Sequence, residues 1–383
     1  MYRLRMRPSS RAWWAGAILI IAATAAAVVA GIASANGAST RTASTKAKHD
    51  VTLANGLSIH YVAQTPAQTK AYWTSARMAA AKPAPIPIRS GTPTAVGSLN
   101  AAPAASGKAS GWAPDGVKDG PSVVNPQQPL AQGPSPETQC QYCFIPFTRY
   151  YYFAKYLTYP ASTVGKLFFT NDGGNYVCSA SVIYTNTLDT AGHCVANTDG
   201  THQWDSSALF CPSYNAGVNG AVGCWAANFF VAWNQWINDG SFEWDFGGIN
   251  TVTCGSVWCT SIANRTGYLG VAWGQSEDQN FSAFGYPQAS PFDGNYLVSC
   301  LSEFGYETSS GNNDGGPNSI AIGCDMTGGS SGGPWIIGWG GGNWVNGHND
   351  WKWNSLPNAM NSPYVDTRDC QVWSVAGRSD ITC

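Results

Sequence analysis

Short apolar runs separated by turn-forming residues dominate the chain from about residue 165 to residue 377. Glycine, asparagine, aspartate and proline interrupt these runs every 8–12 residues or so; examples of the runs are residues 166–170, 176–183, 229–233, 268–273, 296–300 and 335–338. Strands of this length with turns at this spacing are typical of all-β sandwiches and barrels. More than 200 such residues need two barrels or one large sandwich. The pattern therefore predicts an all-β fold with few helices.

The N-terminus has the pattern of an export signal. Four arginines among the first 11 residues precede an apolar run over residues 13–33, and Ala33-Ser34-Ala35 follows as a cleavage site for signal peptidase. We predict a signal peptide over residues 1–35 and a secreted, extracellular protein. The alternative is an uncleaved signal that anchors the chain, because the apolar run approaches the ~20 residues of a membrane-spanning helix. After signal removal we expect no stable membrane association.

Residues 36–139 show neither a strand nor a helix period and are rich in alanine, serine, threonine and proline. Eleven of the 22 prolines lie between Pro83 and Pro136. Proline interrupts helices and sheets, so we predict a largely disordered pro-segment or linker. We favour the pro-segment, because processing segments commonly follow a signal peptide. One short helix is predicted over residues 66–81, with Thr65 as N-cap and Pro66 at its first position.

The charge changes sign near residue 139. The 383 residues carry a net charge of −2, but residues 1–139 hold 13 Lys+Arg against 4 Asp+Glu, whereas residues 140–383 hold 7 against 18. The structured part is therefore acidic, which disfavours a nucleic-acid partner. We predict one folded domain over residues 140–383.

All 12 cysteines lie in this acidic part. An even number of cysteines in an exported chain indicates disulfides. The spacing suggests local pairs, although it does not prove the connectivity: Cys178–Cys194, Cys211–Cys224, Cys254–Cys259, Cys300–Cys324 and Cys370–Cys383. Cys140 and Cys143 lack the context of a redox or zinc site, so we expect a local disulfide or partners elsewhere.

Two short motifs carry groups for nucleophilic catalysis. The first is Thr190-Ala191-Gly192-His193-Cys194, at the end of an apolar run, and the second is Gly328-Gly329-Ser330-Ser331-Gly332-Gly333-Pro334. A serine hydroxyl becomes a good nucleophile when an imidazole removes its proton, and an acid must orient that imidazole. Glycines beside the serine allow a tight turn whose N–H groups can stabilise an oxyanion.

Together the motifs resemble the trypsin-like serine proteases, and finer features resemble the secreted bacterial V8-like glutamyl endopeptidases. Those features are residues 165–169 and 178–183, Pro212-Ser213-Tyr214, Gly285-Tyr286-Pro287 and Phe292-Asp293-Gly294. The resemblance implies the chymotrypsin fold, with two antiparallel six-stranded β-barrels over about residues 160–260 and 261–376. The active site would lie in the cleft between the barrels.

The resemblance also implies roles for individual residues. His193 matches the general base and Ser331 the nucleophile, while Gly329 and Ser331 match the donors of the oxyanion hole. Asp245 matches the acid, because Trp244-Asp245-Phe246 resembles the aromatic-Asp-aromatic strand of the family. Its rivals by position alone are Asp199, Asp205 and Asp239.

Substrate specificity is the least determined property. Asp325 lies six residues before Ser331, where trypsin carries its carboxylate for basic substrates, and His348 and Asn349 lie near the glutamate-binding position of the V8-like enzymes. These three residues are candidates for substrate binding, but neither tryptic nor glutamyl specificity is assigned. Asp189 replaces a usually apolar residue and is expected to face out of the barrel.

We therefore predict a secreted serine endopeptidase that cleaves protein or peptide substrates through a His-Asp-Ser triad and an acyl-enzyme. It would act as a monomer, without a metal or another cofactor. The alternative is a catalytically inactive, protease-like binding module whose tryptophan-rich tail, residues 335–353, stacks on sugars or peptides.

Overall fold

The computed structural model describes residues 50–93, 105–117, 145–153, 155–198, 203–255, 259–311 and 316–383. The predicted signal peptide, Cys140, Cys143 and Asp199 lie outside these residues. No helix in the described ranges is long and apolar enough to cross a membrane.

Strands account for most of the regular structure in this part of the chain. They are β1 Val51–Thr52, β2 Leu57–Tyr61, β3 Lys82–Pro83, β4 Ile88–Arg89, β5 Gly107–Ala109, β6 Thr148–Tyr152, β7 Val164–Asn171, β8 Gly174–Tyr184, β9 Thr187–Ala191, β10 Ser206–Pro212, β11 Trp225–Trp233, β12 Phe246–Thr251, β13 Gly270–Trp273, β14 Asn280–Gly285, β15 Leu297–Thr308, β16 Ser319–Gly323, β17 Pro334–Ile337, β18 Trp344–His348, β19 Lys352–Trp353 and β20 Ala359–Ser362. The α-helices are α1 Pro66–Tyr72, α2 Ser75–Ala80, α3 Asn234–Asp239, α4 Ala263–Thr266 and α5 Thr367–Ala376. Single 3₁₀ turns lie at Asp115–Val117, Ala161–Thr163, Gly192–Cys194 and Phe242–Trp244.

The first barrel is closed. Strands β7, β8, β9, β12, β11 and β10 pair antiparallel in that order, and β10 pairs again with β7. Closure leaves few unpaired backbone groups at its edges. Its interior is filled by alternate, apolar side chains of these strands, among them Leu167, Phe210, Trp225, Phe230 and Ile249.

The second sheet has six core strands in the order β20, β16, β15, β14, β17 and β18, all antiparallel. An isolated bridge between Trp351 and Asn361 joins the chain after β18 to β20. The interior holds Phe281, Val298, Trp335, Ile337 and Met360. The predicted all-β fold with two chymotrypsin-like barrels is confirmed.

The N-terminal residues are folded where the structure describes them. The β1–β2 hairpin extends the first barrel at β11, β3 pairs with β8, β4 pairs with β19 and β5 pairs with β13. The prediction of disorder is therefore wrong for residues 50–93 and 105–117. Strands of two to five residues are unstable alone, but they form here because other strands of the folded chain supply their hydrogen-bond partners.

The predicted helix is present in two parts. Thr65 caps α1 through a reciprocal capping box with Gln68, and Pro66 occupies the first helical position. The helix ends at Tyr72, and α2 begins after a second cap, Thr74. Between them Trp73 is buried, and its Nε1 donates to the Ser207 carbonyl at 2.5 Å.

All five proposed disulfides are present: Cys178–Cys194, Cys211–Cys224, Cys254–Cys259, Cys300–Cys324 and Cys370–Cys383. The first of them links β8 to the turn that carries His193, so it holds that turn against the barrel.

Candidate active site

His193 lies in the 3₁₀ turn that follows β9. Strand β9 pairs with β12, which places the turn beside the start of β12 and therefore beside Asp245. Gly192 permits this approach, because a Cβ at that position would lie 2.6 Å from Asp245 Oδ1. The backbone N–H of Gly192 donates to the Asp245 carbonyl at 3.0 Å.

Asp245 binds the imidazole directly. It is fully buried, its Oδ1 accepts the backbone N–H of His193 at 2.6 Å, and its Oδ2 lies 2.8 Å from His193 Nδ1. Burial alone would raise the pKa of Asp245, but the charge of His193 and its hydrogen bond outweigh burial and lower it. The carboxylate is thus ionised and orients the ring so that Nε2 faces away from it.

The rival acids are elsewhere. Asp205 is buried and accepts a hydrogen bond from Asn171 Nδ2 at 2.5 Å. Asp239 is exposed at the end of α3. Asp199 lies outside the described residues.

The loop that carries Ser331 packs against β8 and β9. The Ser331 carbonyl accepts the backbone N–H of Ser179 in β8 at 2.8 Å. Gly332, at a φ of +74°, lies so close to β9 that a Cβ would be 2.0 Å from Thr190 Oγ1 and 2.8 Å from the Ala191 nitrogen. The loop therefore brings Ser331 to the end of β9, where the His193 turn begins.

The candidate base and nucleophile are not joined by a hydrogen bond. Among the described residues, neither His193 Nε2 nor Ser331 Oγ has a hydrogen-bond partner, although both atoms are buried. The two groups that would exchange a proton are thus both uncommitted in this structure.

Asp350 is a second carboxylate at the imidazole that the sequence reading did not identify. Its Oδ1 lies 3.3 Å from His193 Nδ1, and its carboxyl group hydrogen-bonds to that of Asp245. Burial, followed by the charge of Asp245, raises its pKa well above the ordinary value. Asp350 is therefore neutral beside the ionised Asp245. No sequence motif marks it, because only the path of the chain after β18 places it there.

Ligand atoms of His193, Asp245 and Asp350 lie within 4.8 Å of one another, a spacing that could hold a metal ion. The Nδ1 atom is already committed to Asp245, however, and a neutral carboxyl group is a poor ligand. Cys178 and Cys194 also lie near His193, but their disulfide removes both thiolates.

Comparison with known proteins identifies the family. No protein-family model and no curated protein matches the chain. Among solved structures, the thermostable serine protease AL20 from an extremophilic microorganism is 34% identical, with a TM-score of 0.50, over 57% of this chain and 98% of its own. The chain belongs to the trypsin-like serine proteases. Its activity class is accordingly that of a peptidase acting on peptide substrates.

Two further proteases resemble the chain. Protease Anisep from Arthrobacter nicotinovorans is 31% identical over 56% of this chain and 95% of its own, with a TM-score of 0.49. A Glu endopeptidase solved in complex with MPD is 19% identical over 60% of this chain and 95% of its own, with a TM-score of 0.47. The family assignment rests on AL20 alone.

In this protease the candidate substrate-binding residues are committed to internal contacts. Asp325 forms an ion pair with Arg149 of β6, and the Lys352 ammonium donates to the neighbouring Cys324 carbonyl at 3.1 Å. The Asp325 charge is thus compensated within the protein. It is not a free carboxylate for a basic substrate side chain.

His348 and Asn349 point into the interior. His348 is 1% exposed, its Nε2 lies 3.0 Å from the Asp245 carbonyl, and burial lowers its pKa to about 4. The Asn349 amide donates to the Phe284 and Ser330 carbonyls at 2.8 and 3.1 Å. Both residues contact the backbone of the site from the protein interior. The expectation that they bind substrate does not fit this placement.

Asp189 lies buried beneath α5. Its Oδ1 accepts a hydrogen bond from Trp373 Nε1 at 2.7 Å, and its Oδ2 is 4.0 Å from His348 Nδ1. Burial raises its pKa to about 8. The polar residue that departs from the family pattern is thus paired with a helix rather than exposed to solvent.

The proposed oxyanion donor of the protease already has an acceptor. Gly329 adopts a φ of +96°, and its backbone N–H donates to the carbonyl of Ala84 at 3.1 Å. Ala84 belongs to the N-terminal part of the chain, which passes along the loop of Ser331.

Proposed function

We propose that the protein is a secreted serine endopeptidase in which Ser331, His193 and Asp245 form the catalytic triad. The observation that carries this proposal is the double contact of Asp245 with His193, through the backbone N–H and Nδ1, at the turn against which the Ser331 loop packs. This contact holds the proton on Nδ1 and leaves the lone pair of Nε2 for the serine hydroxyl.

The reaction proceeds in two halves. Ser331 Oγ attacks the peptide carbonyl carbon while His193 Nε2 takes the hydroxyl proton, and the N–H groups of Gly329 and Ser331 stabilise the oxyanion. The C–N bond then breaks as His193 returns the proton to the leaving amine, which leaves an acyl group on Ser331. Water, deprotonated by His193, then attacks the acyl carbon. The bond between this carbon and Ser331 Oγ breaks, the carboxylic acid leaves, and His193 returns the proton to Oγ. Asp245 stays ionised and stabilises the imidazolium in both halves.

Export and processing belong to the same proposal. Residues 1–35 act as a signal peptide, and residues 36–139 act as a pro-segment ahead of the protease domain at residues 140–383. The five disulfides support this route, because disulfides persist in oxidising compartments outside the cytoplasm. We call the chain without its pro-segment the processed enzyme.

The alternative, an inactive binding module, receives no support from the tryptophan-rich tail. Trp335 and Trp351 are fully buried, and Trp353 is 8% exposed. These three rings pack in the interior. The other two, Trp339 and Trp344, are partly buried and pack against Phe284 and Lys108.

An active-site phosphonate tests the proposal. We expect the exported, processed enzyme to take up one phosphonate per chain on Ser331, and the Ser331→Ala variant to take up none. Ser330→Ala is the matched control, because Ser330 is equally buried but its hydroxyl donates to the Thr327 carbonyl at 2.9 Å. Labelling that survives Ser331→Ala, or is lost only in Ser330→Ala, would refute the assignment.

A further inference from the structure

We call the proposed pro-segment, residues 36–139, the N-terminal segment. Its residues 81–89 lie along the Ser331 loop, and we call them the cleft segment. At its start, Gln288 Nε2 donates to the Ala81 carbonyl at 2.7 Å. Strand β3 then pairs with Tyr176 and Val177 of β8, and the Ala84 N–H donates to the Val177 carbonyl at 2.9 Å. The segment thus enters along the strand that carries Cys178 and its link to the His193 turn.

The middle of the cleft segment reaches the proposed oxyanion hole. The Ala84 carbonyl accepts the N–H of Gly329, and a Cβ on the adjacent Gly328 would lie 2.7 Å from that same oxygen. A substrate carbonyl needs this donor during catalysis. Ala84 therefore occupies a position that the reaction requires to be empty.

The far end of the cleft segment lies along the chain that follows Asp350. The Lys352 N–H donates to the Pro87 carbonyl at 3.0 Å, and β4 pairs with Lys352 and Trp353 of β19. The Arg89 guanidinium lies 5.0 Å from the centre of the Phe242 ring. The segment thus extends from β8 on one side of the site to β19 on the other, parallel to both strands.

Ile86 anchors the cleft segment between these two ends. It is 7% exposed and joins the apolar interior of the second barrel, whereas Ile88, two residues later, is 64% exposed. Prolines 83, 85 and 87 alternate with the residues between them and restrict the backbone to an extended form. An extended, preorganised strand loses little conformational entropy on docking.

The rest of the N-terminal segment holds the cleft segment in place. Upstream, β2 pairs with β11 over Leu57 to Tyr61. The centre of the Trp73 ring lies 5.4 Å from that of the Phe168 ring in the first barrel. A tether on the same chain gives the cleft segment a high effective concentration at the site.

We propose that the cleft segment is a built-in inhibitor that occupies the active-site cleft until the N-terminal segment is removed. This inference rests on the proposed function, because it takes Ser331 and Gly329 as parts of the active site. The uncommitted His193 Nε2 and Ser331 Oγ agree with it, since the serine has no hydrogen bond to its base while Ala84 holds Gly329.

Two matched substitutions in the full chain test this inhibitor. Ile86→Asp places a charge at the buried anchor, and Ile88→Asp places the same charge at an exposed site of the same segment. Burial of an isoleucine side chain shifts a docking equilibrium by about ten- to a hundredfold. We expect Ile86→Asp to raise the initial rate of peptide hydrolysis and of phosphonate labelling by at least about tenfold. Ile88→Asp should stay within about twofold of the unsubstituted chain.

A synthetic peptide of residues 79–91 provides a second measurement. Added to the Ile86→Asp chain, it should inhibit competitively, whereas the same peptide carrying Ile86→Asp should not. If Ile86→Asp lowers the melting temperature of the chain, the smaller Ile86→Ala substitution replaces it, with a smaller rise in rate.

The outcomes separate the two proposals. Equal, measurable rates in the full chain, in Ile86→Asp or Ile86→Ala and in the processed enzyme would overturn the inhibitor and leave the protease intact. Absence of hydrolysis and labelling in every form, the processed enzyme included, would instead overturn the assignment of Ser331. A rate that rises in the Ile86 variant and in Ile88→Asp alike would also overturn the anchor at Ile86.

Discussion

Two carboxylates compete to be the acid of the triad, and their amide variants should separate them. Asp245 Oδ2 lies 2.8 Å from His193 Nδ1, and Asp350 Oδ1 lies 3.3 Å from the same atom. Asp245→Asn and Asp350→Asn each replace one carboxyl group with an amide of nearly the same shape. Packing is therefore preserved, and a change in rate reports on the charge and the hydrogen bonds.

The structure predicts very different losses. Asp245 accepts two hydrogen bonds from His193 and is ionised, so an amide would offer an N–H to Nδ1 and favour the wrong tautomer of the ring. We expect Asp245→Asn to lower kcat by about 10,000-fold, as the loss of an oriented imidazole does in such triads. Asp350 is neutral and hydrogen-bonds to Asp245, so Asp350→Asn exchanges one neutral hydrogen-bond donor for another. We expect it to lower kcat by less than about tenfold, or under about 1.4 kcal/mol of barrier.

The assay is hydrolysis of a chromogenic peptide by the processed enzyme at saturating substrate. Both variants should keep the melting temperature of the parent enzyme within a few degrees. A loss in Asp350→Asn as large as that in Asp245→Asn would refute the reasoning, because Asp350 would then carry the charge that His193 needs. Retention of activity in Asp245→Asn would refute it equally.

Two further predictions concern stability. Burial raises the pKa of Asp205 to about 8 against 3.8 for a free side chain, so the fold loses stability as the pH rises from about 4 to about 8. Asp205→Asn keeps the acceptor for Asn171 and should stabilise the protein by up to about 4 kcal/mol at pH 7 and by little at pH 4, as measured by thermal unfolding. A gain at pH 4 as large as at pH 7 would contradict the buried, protonated carboxyl. For the backbone, Gly332→Ala should cost more than about 3 kcal/mol and abolish labelling of Ser331, since its Cβ would meet Thr190 and β9. Gly340→Ala, at a similar φ of +79° but in open space, should cost about 1 kcal/mol and leave labelling unchanged; equal costs for the two would refute the steric argument.

The sequence predicts a residue of the active site only where that residue lies within a recognisable motif. His193 and Ser331 are marked by their neighbours, because a tight turn and a glycine-rich loop are local requirements of the chemistry. Asp245 is indicated by the resemblance of Trp244-Asp245-Phe246 to the aromatic-Asp-aromatic strand of the family. Asp350 has no such neighbours. Its approach to His193 depends on the register of β18 and on the path of the chain beyond it.

The N-terminal segment is folded in places where its sequence predicts disorder. Its many prolines indicate a chain that cannot form its own core, and this physical statement is sound for the segment alone. The folded chain, however, supplies hydrogen-bond partners to β2, β3 and β4 through β11, β8 and β19, and Ile86 packs into the apolar interior of the second barrel. An inability to fold alone is therefore compatible with order on a preformed surface.

The amino-acid sequence indicated the all-β class, the two motifs and the local disulfide pairs, because alternation, turn residues and short spacings act over a few residues. Tertiary structure alone decided which carboxylates meet the imidazole, how Arg149 compensates Asp325, and where the cleft segment lies. These are contacts between residues far apart in the chain. They depend on strand pairing and barrel closure, which no local pattern encodes.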